Sequence, residues 1–181
     1  YILNAVIKPG DYVDYAHLEE SRRQLESIEA LGSGGKKQTR AEARRERLDY
    51  NRFFSVVNKH LVFYSESSGF YKYYKGIIEY ILKNTNLTVH YITSDPNDQV
   101  FKIAETQPNL KPYYIAEKKL IVLMMKLDCD VMVMTMPDIE NFHIKRSYVR
   151  DNIEYIYLPH GMGSYNLTLR KGCVDHYDTV L

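Results

Sequence analysis

Hydrophobic and polar positions follow two different patterns along this chain, and the change comes near residue 60. From there onward, short runs dense in Val, Ile, Leu and Tyr alternate with stretches of helical period. The runs predict strands over 60–65, 87–93, 112–115, 130–135 and 153–158, with a sixth starting at 177. Between them the pattern predicts helices over 70–83, 99–105 and 117–127, and a short polar helix after Pro137-Asp138. The first of these carries Phe70, Tyr74, Ile77, Ile78, Ile81 and Leu82 at i, i+3, i+4 spacing, which marks one buried face. Apolar residues run continuously through the strands instead of alternating with polar ones. That is the pattern of a parallel sheet covered on both faces, so the expected fold is Rossmann-like α/β.

Before residue 60 the apolar positions thin out and charge takes over. Residues 11–31 carry six acidic side chains against two basic ones, whereas 36–52 carry seven basic against three acidic. Both stretches are rich in helix formers, and Gly32-Ser33-Gly34-Gly35 between them reads as a helix stop and turn. The expectation is an antiparallel helical hairpin of complementary charge or a mobile appendage over 1–58, followed by an α/β lobe over 59–181.

Composition narrows the class. The chain has 181 residues, 45% hydrophobic and 26% charged, enough for a core but little more than one full domain. A net charge of +1 removes the bulk electrostatic case for a dedicated nucleic-acid binder, so any phosphate site must be local. Two cysteines, Cys129 and Cys173, are too few for a disulfide framework, which suits a reducing, cytoplasmic setting. The longest apolar run, 120–125, is far short of the roughly 20 residues that span a bilayer. The chain opens on Tyr1 and stops in an apolar run at Leu181, so it reads as a piece of something longer.

In an open parallel sheet, ligands meet the carboxyl ends of the strands. The loop after the first strand holds Ser67, Ser68 and Gly69 at a helix N-terminus, where free N–H groups favour an anion; helix capping is the plainer role for these serines. After the fifth strand comes Pro159-His160-Gly161-Met162-Gly163-Ser164. A histidine followed by glycines brings an imidazole and bare backbone close to a substrate, which suits a general base; a tight turn with a structural histidine is the alternative. The basic pair Arg170-Lys171 then faces either a phosphate or solvent.

Other patterns are incomplete. Gly161-x-Gly163 lacks the third glycine of a dinucleotide fingerprint, and the 32–37 stretch has neither the spacing nor the preceding strand of a P-loop. Cys173-x-x-His176 has no second ligand pair at zinc spacing, so no metal site is expected. Most of the 17 tyrosines, Tyr73, Tyr74 and Tyr80 among them, follow helical period and read as packing.

From His60 to Leu181 the chain resembles the N-terminal lobe of the CDP-glycerol glycerophosphotransferase family, the teichoic acid polymerases and primases. The resemblance rests on Val62-Phe63-Tyr64-Ser65-Glu66-Ser67 with its aromatic helix, on Leu158-Pro159-His160-Gly161, and on His176-Tyr177-Asp178-Thr179-Val180-Leu181. It implies one lobe of a GT-B fold, with the acceptor side here and the CDP-glycerol donor held mainly by a C-terminal lobe beyond Leu181. It further implies His160 as the general base, with no cofactor beyond CDP-glycerol as donor substrate. Ser67, Ser68, Gly69, Gly161, Gly163, Ser164, Arg170 and Lys171 are the candidate substrate contacts.

The implied partner is a phosphopolymer or lipid-linked acceptor at the inner face of a membrane. Residues 36–52 are the candidate contact to an anionic surface. Another GT-B glycosyltransferase or a sugar-nucleotide epimerase would show the same alternation. A non-catalytic partner- or membrane-binding module is the reading from a different class.

Overall fold

A computed structural model of the chain describes residues 38–160 and 169–181. The acidic stretch 11–31 and the turn at 32–35 lie outside the described residues, as do Gly161, Gly163 and Ser164. Six strands, β1 (Lys59–Ser65), β2 (Val89–Thr93), β3 (Leu110–Tyr114), β4 (Cys129–Met134), β5 (Glu154–Tyr157) and β6 (Thr179–Val180), form one sheet. Every pairing is parallel and the spatial order is β3-β2-β1-β4-β5-β6. This is the Rossmann-like α/β architecture expected from the sequence.

Among the described residues four α-helices cover the sheet: α1 (Arg40–Ser55), α2 (Tyr71–Asn84), α3 (Val100–Ala104) and α4 (Glu117–Met125). Successive strand residues point to opposite faces, so the continuous apolar runs split between two cores. Val62 and Tyr64 of β1 join Met132 and Met134 of β4 under Phe53 of α1 and Leu120, Leu123 and Met124 of α4. Phe63 and Val133 face the other way, under Tyr71, Tyr74 and Ile78 of α2 and Val100 of α3. Both faces are therefore dry, as the unbroken strand hydrophobicity requires.

The basic stretch before the sheet folds differently from the expected appendage. Helix α1 begins at a capping box: the Thr39 hydroxyl accepts from the Glu42 N–H at 3.2 Å, and the Glu42 carboxylate accepts from the Thr39 N–H at 2.7 Å. Its inner face is then bonded to the edge of the sheet. Asp49 accepts the Tyr114 N–H at 2.9 Å, Glu46 accepts the Ala116 N–H at 3.1 Å, and Phe53 is fully buried. Arg45 donates to the Pro96 carbonyl at 2.8 Å and lies 3.7 Å from the Phe101 ring centroid. Consequently the compact unit holding the sheet begins at Gln38, not at residue 59. Carboxylates that satisfy strand-end backbone donors join α1 to the lobe.

The short polar helix expected after Pro137-Asp138 is a turn instead. Asp138 and Glu140 have φ of 68° and 66°, left-handed values that a right-handed helix cannot contain. Bonds from outside the segment hold this path: the Asp138 N–H reaches the Cys173 carbonyl at 2.6 Å, and Glu140 exchanges backbone and side-chain bonds with Ile144, Lys145 and Arg146. Strand β6 is also shorter than the run beginning at 177, because Tyr177 closes the preceding turn on Val174 at 3.1 Å.

Candidate functional site

The strand order reverses direction between β1 and β4, the switch point beside which open parallel sheets bind ligands at the carboxyl ends of their strands. Three chain segments meet at this edge. The first leaves β1 at Ser65, whose buried hydroxyl donates to the Ser67 carbonyl at 2.6 Å and bends the chain into a single 3-10 turn, Ser68–Phe70. Neither Ser67 nor Phe70 makes a side-chain cap to the helix that follows, so the capping role does not hold for these serines. The Ser68 N–H is directed at the Asp95 carboxylate at 3.3 Å. A carboxylate already occupies part of the expected anion cradle. Gly69 is exposed, and a Cβ there would meet only the Ser67 hydroxyl at an ordinary 3.8 Å, so close approach does not require its glycine.

The second segment leaves β4 at Thr135, which is fully buried. The Tyr74 hydroxyl of α2 donates to the Tyr64 carbonyl at 2.6 Å and lies 3.3 Å from Thr135 Oγ1, so one group ties the ends of β1 and β4 together.

The third segment follows β5, where the Leu158 N–H bonds the Met134 carbonyl at 2.8 Å and carries the chain to Pro159 and His160. The His160 ring packs against the rings of Phe70 and Tyr73, with centroids 5.2 and 5.7 Å away. Its Nδ1 is buried and makes no hydrogen bond among the described residues. Glu66, half-buried at the end of β1, shares this environment. Burial raises its carboxyl above the usual range, the neighbouring His160 charge draws it down, and Glu117 pushes it up again.

Thus the structure brings His160 to the edge that also holds Ser67, Ser68 and Gly69, and adds residues the sequence reading passed over. Glu66 stood inside the quoted loop without a role, although an acid at a strand end beside a later strand-end histidine was the signal available. Tyr73, read as core packing, has its ring against His160. Arg170 is directed elsewhere, paired with Asp138 at 2.6 Å and lying 4.9 Å from the Phe142 ring centroid. Lys171 is exposed and borders a separate recess of about 210 Å³ between Tyr157 and Val174.

Among the described residues no three His, Cys, Asp or Glu side chains gather into a metal site. Cys129 and Cys173 are buried free thiols, and burial pushes Cys129 up to about 12. No described helix is long and apolar enough to cross a membrane. Comparison with protein-family models, with curated proteins and with solved structures finds no match for this chain. The fold and this edge define a Rossmann-like parallel α/β lobe with an aromatic-walled histidine beside its switch point.

Proposed function

We propose that this chain is the acceptor-side lobe of a CDP-glycerol glycerophosphotransferase-like enzyme and that His160 is its general base. The observation that carries the reading is the placement of His160 at the carboxyl end of β5, between Phe70 and Tyr73, in the electrostatic reach of Glu66. In the reaction, the imidazole takes the proton of an acceptor hydroxyl while that oxygen bonds to the β-phosphorus of the donor. The phosphorus–oxygen bond to CMP breaks and CMP leaves with its electron pair. Glu66 offsets the positive charge that appears on His160, and the aromatic walls fix the ring's orientation and keep water away from one face.

The donor contacts belong, by the family resemblance, to a second lobe beyond Leu181. The acceptor is a phosphopolymer or lipid-linked hydroxyl at the inner face of a membrane. Attachment to that surface rests on fewer charges than the sequence suggested, because Arg45 and Arg52 bond to Pro96, Asp49 and Pro112 in the lobe. Arg40, Arg44 and Arg47 remain exposed for that role.

The test is CMP release from CDP-glycerol by the complete protein in the presence of a hydroxyl acceptor. His160→Ala is expected to lower turnover by about 10²–10⁴-fold while CDP-glycerol binding, followed by calorimetry, is unchanged. Full turnover by the variant, or no CMP release by the parent protein, would overturn the assignment.

A further inference from the structure

At the opposite end of the sheet, where the strands begin, an open cleft of about 630 Å³ separates the end of α1 from the starts of β1, β2 and β3. Four basic side chains line it, Arg52, His60, His90 and Lys111, and among the described residues no carboxylate does. The acids nearby stand behind this lining. Asp49 holds Arg52 at 2.9 Å and is shared with Arg45 at 3.7 Å, while Asp130 pairs with both His60 and Arg150. Asp128 pairs with Arg150 at 3.2 Å. Lys111, exposed at the rim, has no ion pair among the described residues. Lys111 is therefore the cation of this lining without a carboxylate partner among the described residues, while Arg52 and His60 keep Asp49 and Asp130.

His90 reports that charge from inside. It is only 3% exposed, its Nδ1 is 3.0 Å from the Tyr113 hydroxyl, and the two rings stack at 5.8 Å. Burial first, then the charges of Lys59, Lys111, Arg52 and His60, depress its titration to about 4. Lys59, Lys111 and Arg52, together with His60, act on this one buried imidazole, and an anion in the cleft would relieve them. The cleft also has an apolar side. Val57 and Leu87 are 78% and 41% exposed on its lining beside the Tyr113 ring, so a ligand with an aromatic or apolar body would cover surface that water now touches.

We propose that this cleft binds a phosphorylated small molecule with a ring-bearing body, its phosphate taken by Lys111, Arg52 and His60 and its body laid against the exposed Val57 and Leu87. Lysine supplies a point charge to the phosphate, and Arg52, already fixed by Asp49, supplies a guanidinium that loses little freedom on binding. The site lies at the end of the sheet opposite His160 and does not depend on the transferase reading.

The experiment uses the full chain and three probes: phenyl phosphate, inorganic phosphate and phenol, followed by the ring NMR signals of the histidines. Phenyl phosphate is expected to shift the His90 and His60 signals saturably below about 10 mM and to raise the His90 midpoint by about half a unit, since a nearby anion favours the imidazolium. Inorganic phosphate and phenol are each expected to bind about 10-fold more weakly than phenyl phosphate. Lys111→Ala, at an exposed position, is expected to weaken phenyl phosphate about 10-fold with the backbone spectrum otherwise preserved. No saturable shift, a shift unchanged in Lys111→Ala, or equal binding of phenol would overturn the proposal; equal binding of inorganic phosphate would overturn the ring-bearing body.

Discussion

The hydroxyl of Tyr74 stands where β1 and β4 part, bonded to the Tyr64 carbonyl and within reach of Thr135. Its ring packs edge-on against Phe63 at 5.3 Å and Tyr91 at 6.0 Å. Tyr74→Phe keeps this packing and removes only the polar tie, leaving a buried carbonyl without that donor. The expected cost is about 1–3 kcal/mol in urea unfolding. A loss below about 0.5 kcal/mol would mean that the strand ends hold together without it. At this scale His160 was legible, because a histidine at the end of an apolar run and ahead of glycines has few places to go in a parallel sheet. His90 was not. It sits inside Val-His-Tyr-Ile-Thr, a run whose every residue is buried, and its partner Tyr113 comes from a strand that no local pattern connects to it.

Among the elements, α1 shows where a search for apolar periodicity stops short. The helix itself was legible from its helix formers, and the Thr39–Glu42 capping box marks its start. Its docking was not, because two of its three buried side chains are the carboxylates Glu46 and Asp49, which bond to backbone N–H groups at the end of β3 and just beyond. Such residues count as solvent-facing in a hydrophobic pattern. The hairpin expected from charge complementarity has its acidic half outside the described residues; in the basic half, Arg45 and Arg52 bond backbone carbonyls of the lobe.

Asp49→Ala is expected to destabilise the chain by about 1–3 kcal/mol by leaving the Tyr114 N–H unpaired. Phe53→Ala, which empties space in a packed core, is expected to cost about 3–5 kcal/mol. Both are read from urea midpoints. Parent-like stability in both variants would return α1 to the status of an appendage. The turn at Asp138 was missed for a related reason: short polar sequences are compatible with a helix, and only the remote bonds to Cys173 and Ile144 select the left-handed path.

For the whole molecule, the alternation of strands and helices specified a parallel sheet but left its order open. The order follows from chain handedness. Stepping outward from β1 to β2 to β3 places α2 and α3 on one face; the return to β4 on the far side of β1 reverses the direction and places α4 on the other face. That reversal sets the switch point at the end of the sheet that holds His160 and leaves the strand beginnings, with their cations, at the opposite end.

The cationic edge has a consequence for the stability of the entire chain. His90 stays neutral in the folded state down to about pH 4, whereas in the unfolded chain it titrates near 6.5. Between these values the unfolded chain binds the additional proton, so stability falls as pH drops from about 6.5 to about 4 and is regained as pH rises, by an amount approaching about 3 kcal/mol. Other groups shape the acid limb differently. Glu66 and Asp98, raised mainly by burial, oppose the loss, because the folded chain takes up their protons first. For Asp178, burial pushes the carboxyl up, but bonds from Arg146 and the Tyr155 N–H outweigh it and leave it low. Asp130 is held low by His60 and Arg150, so both of these carboxylates lose their support as pH falls through the usual carboxylate range toward their lowered folded values. Because the raised Glu66 and Asp98 act with the opposite sign, the share of His90 is read as the difference between the parent and a variant that lacks only this imidazole. His90→Phe retains a ring to stack on Tyr113 and cannot be protonated, so its urea midpoints between pH 7.5 and 4.5 are expected to flatten relative to the parent, and parallel slopes in the two proteins would show that burial and the surrounding charges do not hold this histidine neutral.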